Sequence, residues 1–243
     1  MPLAAPAFTG PPFQALPDGN LLLMVFEADK DAISFEVPEP LRPSKDGLCL
    51  AWIGDMRQPT HTIHLYHECL LAVKTTYKKW AGWYINYLWV SHDMALTFSR
   101  ELYGWPAQLC EDTQHKFVGS QIFGECKRYG EQLMRMSVSI TSPPGYGEKK
   151  RLEERFFRQI EGDWLQIRKF PSPEKNGKAI KQLFLIPTTQ FKLREIWSGN
   201  GVLELGQSGY YPVLPRLNPT KILGVWYLKA GWVVPHATLL WQK

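Results

Sequence analysis

The stretch 61–68, with the sequence HTIHLYHE, concentrates side chains that can carry chemistry: three histidines, a tyrosine and a glutamate. The residues around it are strand-like, and successive side chains of a strand point to opposite faces of the sheet. His64, Tyr66 and Glu68 therefore share one face, and the other two histidines share the opposite face. Because the three histidines cannot converge from a regular strand, we predict no metal site and interpret the second face as solvated.

Glu68 is the candidate with the most specific chemistry. A glutamate between apolar strand residues is partly desolvated, and burial raises a carboxyl pKa towards the range that suits proton transfer. We therefore expect Glu68 to act as a general acid or base, in a cavity that His64 and Tyr66 also line.

A second polar group follows an amphipathic segment, SHDMALTFSRELYGWPAQL, at 91–109. Its apolar residues recur at helical spacing, which predicts a helix that Ser91 caps and that ends near Tyr103. Gly104 fits the helix stop. Arg100, close to this end, has two interpretations: it anchors the helix end on carbonyls or carboxylates, or it contacts the substrate.

Most of the remaining chain predicts strands. Asp29 is expected to cap a short helix that ends near Glu36, and one or two further short helices are possible near 206–216. We predict one β-rich α+β domain over 20–243, preceded by an N-terminal extension over 1–19. The predicted strands, which are rich in β-branched and aromatic residues, cover 20–29, 46–56, 60–77, 82–90, 116–127, 131–141, 163–170, 179–192 and much of the last third.

Composition narrows the possible partners. The chain has 243 residues, 44% of them hydrophobic, and a formal net charge of +5 from scattered basic residues, which disfavours nucleic-acid binding. The four cysteines include no CxxC pair, the first residues lack a signal-peptide pattern, and no apolar run approaches about 18 residues. We expect free thiols, a cytoplasmic location, no membrane contact, no cofactor and a small-molecule substrate.

Five segments, in this order, resemble the landmarks of the acetoacetate decarboxylase family. The resemblance covers about residues 20 to 240. It implies an acetoacetate decarboxylase-like antiparallel β-cone or barrel with a few flanking helices, a hydrophobic pocket at its closed end, and a homo-oligomer. The segments are VPEPL (37–41), YHE (66–68), GWYINYLWVSHD (82–93), RELYGWP (100–106) and EIWSGNGVLEL (195–205).

The resemblance also shows what this chain lacks. In the family, an aromatic residue and a proline precede two lysines; the first forms a Schiff base with a β-keto acid, and the second helps to lower its pKa. Those positions are Ala107 and Gln108 here, and the arginine that binds the substrate carboxylate falls near Gly19 or Asn20 and is absent. The family's glutamate matches Glu68. This pattern argues against a Schiff-base decarboxylase.

A lysine elsewhere could replace the missing one, and the nearest candidate is Lys74. It has the same strand parity as Glu68, but an extended strand places it roughly 20 Å away. We therefore do not expect Lys74 to share the site.

Three functions remain open. The first is a lysine-independent enzyme of specialised metabolism that cyclises, isomerises or dehydrates a larger, largely apolar carbonyl compound. The second is a decarboxylase or other lyase that works on a keto acid without an imine, and the third is a non-catalytic protein that binds an apolar ligand. The expected catalytic residues are Glu68, Gln108, Tyr66 and His64. The expected substrate-binding residues are Trp52, Tyr87, Trp89, Arg100, Trp105, Ala107 and Tyr211.

Overall fold

The structure is a computed structural model, and it describes residues 14–57, 65–111, 113, 115–143 and 163–243. The N-terminal extension lies mostly outside these ranges. His61 and His64 also lie outside the described residues, so the expected role of His64 stays a prediction.

Fourteen strands in the described residues form one sheet. Two of the predicted strands are each divided: 116–127 forms a hairpin, and 179–192 contains the whole of one strand and the start of the next. The strands are β1 (Gln14–Glu27), β2 (Arg42–Pro43), β3 (Leu48–Arg57), β4 (Tyr66–Tyr77), β5 (Trp80–Val90), β6 (Ala107–Leu109), β7 (His115–Val118), β8 (Gln121–Arg128), β9 (Glu131–Ser142), β10 (Trp164–Phe170), β11 (Ile180–Ile186), β12 (Thr189–Leu205), β13 (Lys221–Val234) and β14 (Thr238–Gln242).

The sheet is mostly antiparallel, and its order is β14-β11-β10-β5-β4-β3-β1-β13-β12-β9-β8-β7, with β2 beside β4 and β6 beside β5. Strand β5 makes two parallel contacts, with β10 and with β6. The β-rich α+β fold predicted from the sequence is confirmed. However, the order of the described strands has two ends, so their hydrogen bonds do not close the predicted barrel.

Helix α1 (Lys30–Glu36) begins and ends as predicted. The Asp29 carboxylate accepts a hydrogen bond of 2.8 Å from the Ala32 N–H, which satisfies one of the unpaired donors of the first turn. The VPEPL segment then follows, and a proline disfavours helix at the residue before it.

Helix α2 (Asp93–Phe98) continues as a π-helical turn, Ser99–Tyr103, that ends at Gly104. The predicted cap was one residue early, because His92 rather than Ser91 caps the helix. The Ser91 hydroxyl is already used, since it accepts a hydrogen bond of 2.8 Å from the His67 N–H.

The sheet buries an apolar layer on each face because its central strands contain runs of consecutive apolar residues, such as Leu21–Phe26 of β1 and Cys69–Val73 of β4. Along β3, Leu50 and Trp52 belong to one layer, and Ala51 and Ile53 belong to the other. We call the first the cavity layer, since it lines the cavity described below, and the second the opposite layer.

Candidate functional site

A small cavity lies against the cavity layer, with a free volume of about 30 Å³. Strands that are far apart in the sequence supply its walls, and four of the lining side chains are tryptophans. The lining residues are Leu16, Trp52, Tyr66, Glu68, Leu70, Ile85, Leu88, Trp105, Trp164, Trp232 and Val234.

Glu68 is the only carboxylate among these residues. It lies on β4 and is only 7% exposed. The Trp52 indole Nε1 donates a hydrogen bond of 2.8 Å to its Oε1. Burial raises the pKa of Glu68 to about 7, although hydrogen bonds from Trp52 and Tyr66 oppose the shift. The carboxyl can therefore gain or lose its proton near neutral pH.

The tryptophans around Glu68 contact one another. The rings of Trp52 and Trp164 meet edge to face at a centroid distance of 5.8 Å, and those of Trp52 and Trp232 lie 6.4 Å apart. The Trp164 indole N–H donates a hydrogen bond of 3.0 Å to the Thr188 hydroxyl, so its polar group is satisfied. These contacts fix a rigid aromatic frame behind the carboxyl.

Trp105 forms another part of the wall and is held from two sides. Its backbone N–H donates to the Ser99 carbonyl at 3.0 Å, and its ring stacks on Tyr103 at a centroid distance of 4.8 Å. Tyr103 is anchored in turn, because its hydroxyl donates to the Val234 carbonyl at 3.3 Å. The Trp105 indole N–H is buried and has no hydrogen-bond acceptor in the described part of the chain.

The short parallel strand β6 directs two neighbouring residues to opposite faces of the sheet. Ala107 lies opposite Leu88 of β5, is completely buried and belongs to the cavity layer. Gln108 lies opposite Trp89, and its Oε1 accepts a hydrogen bond of 2.7 Å from the Tyr211 hydroxyl. The position that the family resemblance assigns to the Schiff-base lysine thus belongs to the same apolar layer as the cavity, but it holds a methyl group.

Several predicted site residues are not brought together with Glu68. Trp89 belongs to the opposite layer with Tyr211, and Tyr87 packs against that layer. The ring of Trp89 stacks on Tyr87 at a centroid distance of 5.5 Å and meets Tyr211 edge to face at the same distance. Along β5, residues 87 and 89 point away from the face that carries Leu88. We expected these aromatics and Gln108 to surround Glu68. That expectation was wrong, because alternate residues of a strand point to opposite faces of the sheet.

Arg100 does not line the cavity. Its side chain is exposed, and Nη1 donates a hydrogen bond of 3.1 Å to the carbonyl of Ala107. The sequence left two interpretations of Arg100 open, anchoring of the helix end and substrate contact. This contact agrees with the first.

Sequence reasoning missed Trp164 and Trp232, which complete the cavity. The strands that carry them were predicted, but their neighbours in the sheet were not. The parallel contact of β10 with β5 rests on one aligned pair, Trp164 and Trp83. Nothing local in the sequence signals a contact across 80 residues.

The described residues offer neither a metal-binding cluster nor a helix that could cross a membrane. They contain no group of three or more histidine, cysteine, aspartate or glutamate side chains that is placed to hold a metal ion. None of their helices has both the length and the apolar composition that a membrane crossing requires.

Comparison with known proteins gives the family. The family model for acetoacetate decarboxylase matches residues 1–243. The chain belongs to the acetoacetate decarboxylase family. It is 23% identical to the acetoacetate decarboxylase of Clostridium beijerinckii over 212 residues, which are 87% of this chain and 82% of that enzyme. The resemblance found in the sequence is thus confirmed.

Solved structures agree with this fold. The acetoacetate decarboxylase of Legionella pneumophila is similar with a TM-score of 0.85 at 16% identity, covering 100% of this chain and 92% of that one. The enduracididine biosynthesis enzyme MppR, complexed with the condensation product of pyruvate and imidazole 4-carboxaldehyde, has a TM-score of 0.78 at 16% identity, covering 97% and 92%. The family is thus one of enzymes, and its fold also occurs in an enzyme of enduracididine biosynthesis.

Proposed function

We propose that this protein is a lysine-independent enzyme in which Glu68 moves protons on a small carbonyl compound, as an isomerase or a dehydratase. The observation that carries the proposal is the position of Glu68: a buried carboxyl with a pKa of about 7, on the wall of a cavity lined by tryptophans. Such a pKa lets the same group accept and return a proton near neutral pH.

The chemistry needs no other titrating group of the chain. The Glu68 carboxylate takes a proton from the carbon next to the carbonyl, and the bonding electrons move to the oxygen to give an enolate. In a β,γ-unsaturated substrate the protonated carboxyl then returns the proton to the γ-carbon, which is an isomerisation. In a β-hydroxy substrate it gives the proton to the departing hydroxyl group, which is a dehydration. The cavity walls hold the substrate in the reactive orientation.

Imine chemistry is disfavoured by the lining. None of the described residues around the cavity is a lysine, and Ala107 occupies the position that the resemblance assigns to the nucleophile. Lys74 lies elsewhere, where its Nζ pairs with the Asp46 carboxylate at 2.9 Å.

A keto-acid substrate is also disfavoured. No arginine is found among the described lining residues, so a substrate carboxylate would lie beside Glu68 without a cationic partner. An unpaired buried charge is costly. This favours proton transfer on a carbonyl over imine-independent decarboxylation.

The cavity volume revises the expected substrate size. The free volume of about 30 Å³ is small. A small substrate displaces the walls less than the larger substrate expected from the sequence, so we propose a small carbonyl compound and give cyclisation a lower rank.

Deuterium exchange tests the proposal. Acetone in D₂O exchanges its α-protons whenever an enolate forms, and NMR measures the rate. We expect the protein to accelerate this exchange above buffer and Glu68→Gln to lower the protein-dependent rate at least about 100-fold, because general acid–base catalysis is typically worth that much.

The matched control is Glu204→Gln, which removes an exposed carboxylate on β12. Its rate should stay within about twofold of the unmodified protein, since surface substitutions have small effects. A Glu68→Gln variant that exchanges as fast as the unmodified protein contradicts the proposal. Binding of acetone without any exchange favours a binding protein instead.

A further inference from the structure

A wide groove runs along β6 and has a free volume of about 600 Å³. We call it the edge groove. Its described lining residues include two arginines, Arg100 and Arg128, and one acidic residue, Glu111. The edge groove shares none of its described lining residues with the cavity at Glu68. It is therefore a second place where a ligand could bind, and the proposed catalysis does not use it.

The pairing of β6 with β5 fixes the direction of the β6 carbonyl groups. The Cys110 N–H donates a hydrogen bond of 3.0 Å to the Val90 carbonyl, so the backbone groups of residues 108 and 110 face β5. Because alternate residues of a strand turn their backbone groups to opposite edges, those of Ala107 and Leu109 face the other edge. Two residues of a strand span about 6.6 Å, so these two carbonyls lie close together on one edge.

Each of these carbonyls holds one arginine. The Arg100 Nη1 donates a hydrogen bond of 3.1 Å to the Ala107 carbonyl. The Arg128 Nη1 donates one of 2.6 Å to the Leu109 carbonyl. The Tyr129 hydroxyl accepts a further hydrogen bond of 3.1 Å from the Arg128 Nη2, and its ring centroid lies 4.7 Å from the guanidinium carbon. Both guanidinium groups are thus held at the same edge of a short strand.

Most donors of the two arginines remain available. A guanidinium has five N–H groups, and the contacts above use one from Arg100 and two from Arg128. Within the described part of the chain, neither arginine forms an ion pair with a carboxylate. The Glu111 carboxylate instead accepts a hydrogen bond of 3.0 Å from the Gly130 N–H. The edge groove therefore offers an anion several donors and a net positive charge.

This arrangement favours a phosphate group over other anions. The planar guanidinium fork matches the spacing of phosphate oxygens and binds them through paired, charge-assisted hydrogen bonds. A phosphate monoester carries a charge of about −1.5 to −2 at neutral pH and has three strongly accepting oxygens, so it can accept from both arginines at once. A carboxylate has a single charge and two oxygens in one plane, and it satisfies fewer of the donors.

We propose that Arg100 and Arg128 bind the phosphate group of a phosphate monoester in the edge groove. The inference does not rest on the proposed function, because no residue of the Glu68 cavity takes part. The volume of the groove leaves space for the organic part of the monoester. Since both arginines are already anchored on β6, they lose little conformational entropy when the phosphate binds.

Isothermal titration calorimetry at pH 7.5 and constant ionic strength tests the proposal with three probes. We expect saturable binding of inorganic phosphate. Methyl phosphate, the smallest monoester, should bind at least as tightly. Acetate should bind at least about tenfold more weakly, because it forms fewer charge-assisted hydrogen bonds.

Variants of the arginines locate the site. Arg100→Gln and Arg128→Gln should each weaken phosphate binding at least about tenfold, as expected for the loss of charge-assisted hydrogen bonds. Arg100→Lys and Arg128→Lys keep the charge and a donor for the β6 carbonyl, so they preserve the fold, but they lack the fork and should weaken binding about threefold to tenfold. The matched control is Arg42→Gln, which removes an exposed arginine from β2 and should keep the affinity within about twofold.

Three outcomes overturn the inference: no saturable phosphate binding by the unmodified protein, acetate or inorganic phosphate that binds more tightly than methyl phosphate, or lysine variants that bind phosphate as tightly as the unmodified protein. Glu68→Gln separates the edge groove from the proposed catalytic site. It should bind phosphate with an unchanged affinity even though it loses deuterium exchange. A loss of phosphate binding in this variant would place the anion in the Glu68 cavity and also contradict the inference.

Discussion

At the residue scale, the Glu68 carboxyl is subject to two opposing effects. Burial disfavours its charged form, whereas the Trp52 indole and the Tyr66 side chain hydrogen-bond to it and favour that form. Burial wins, and the pKa rises from 4.5 to about 7. The two donors keep the shift moderate enough for the group to ionise near neutral pH, which proton transfer requires.

This raised pKa predicts a pH-dependent stability. Below about pH 4.5 the carboxyl is protonated in both states; between 4.5 and 7 the unfolded chain releases the proton and the folded protein keeps it. The free energy of unfolding therefore falls with rising pH across this window, by on the order of 3 kcal/mol. Glu68→Gln removes this contribution.

Urea unfolding of both proteins from pH 4 to 8.5 measures the effect. The stability of the unmodified protein relative to Glu68→Gln should fall as the pH rises from about 4.5 to about 7 and then level off. A difference that stays constant, or that grows with pH, would show that the folded carboxyl has an ordinary or a lowered pKa.

At the element scale, the exit from α2 positions the wall of the site. The π-helical turn ends at Gly104, whose φ of 71° lies in the left-handed region. A Cβ at this residue would approach the Cα of Arg168 to 2.6 Å. Arg168 also caps the turn, since its Nη1 donates to the Glu101 carbonyl at 2.9 Å. Position 104, directly before Trp105, thus requires glycine for two reasons: the left-handed φ and the lack of space for a Cβ beside Arg168.

Gly104→Ala should lower the free energy of unfolding by about 2–4 kcal/mol, from the left-handed conformation and the clash together. Gly119 is the matched control. Its φ is +59°, but a Cβ there would have no atom within 4 Å, so Gly119→Ala should cost only about 1–2 kcal/mol. Urea unfolding compares them, and equal losses would contradict the account of close packing at Arg168.

Strand parity explains what the sequence could and could not predict about the site. It correctly placed Tyr66 and Glu68 on one face of β4, because a long regular strand alternates. It could not place Ala107 and Gln108, because β6 has three residues and its face is set by its pairing with β5. The pairing puts Ala107 in the cavity layer and Gln108 in the opposite layer.

At the scale of the whole molecule, the cavity is a product of the strand order. Glu68 on β4 meets Trp164 from β10 and Trp232 from β13, although these residues are about 100 or more positions away in the sequence. The sequence predicted the strands and, through the resemblance, the family. It could not predict which strands are neighbours, and therefore two of the four tryptophans were missed.

The central claim is that this member of the family works without an imine, and borohydride trapping tests it most directly. Borohydride converts an imine between lysine and a keto acid into a stable adduct, which intact-protein mass spectrometry detects. With equimolar acetoacetate, we predict no adduct on this protein and one adduct on the Clostridium beijerinckii enzyme as the positive control. A stoichiometric adduct that peptide mapping assigns to a single lysine of this chain would contradict the account.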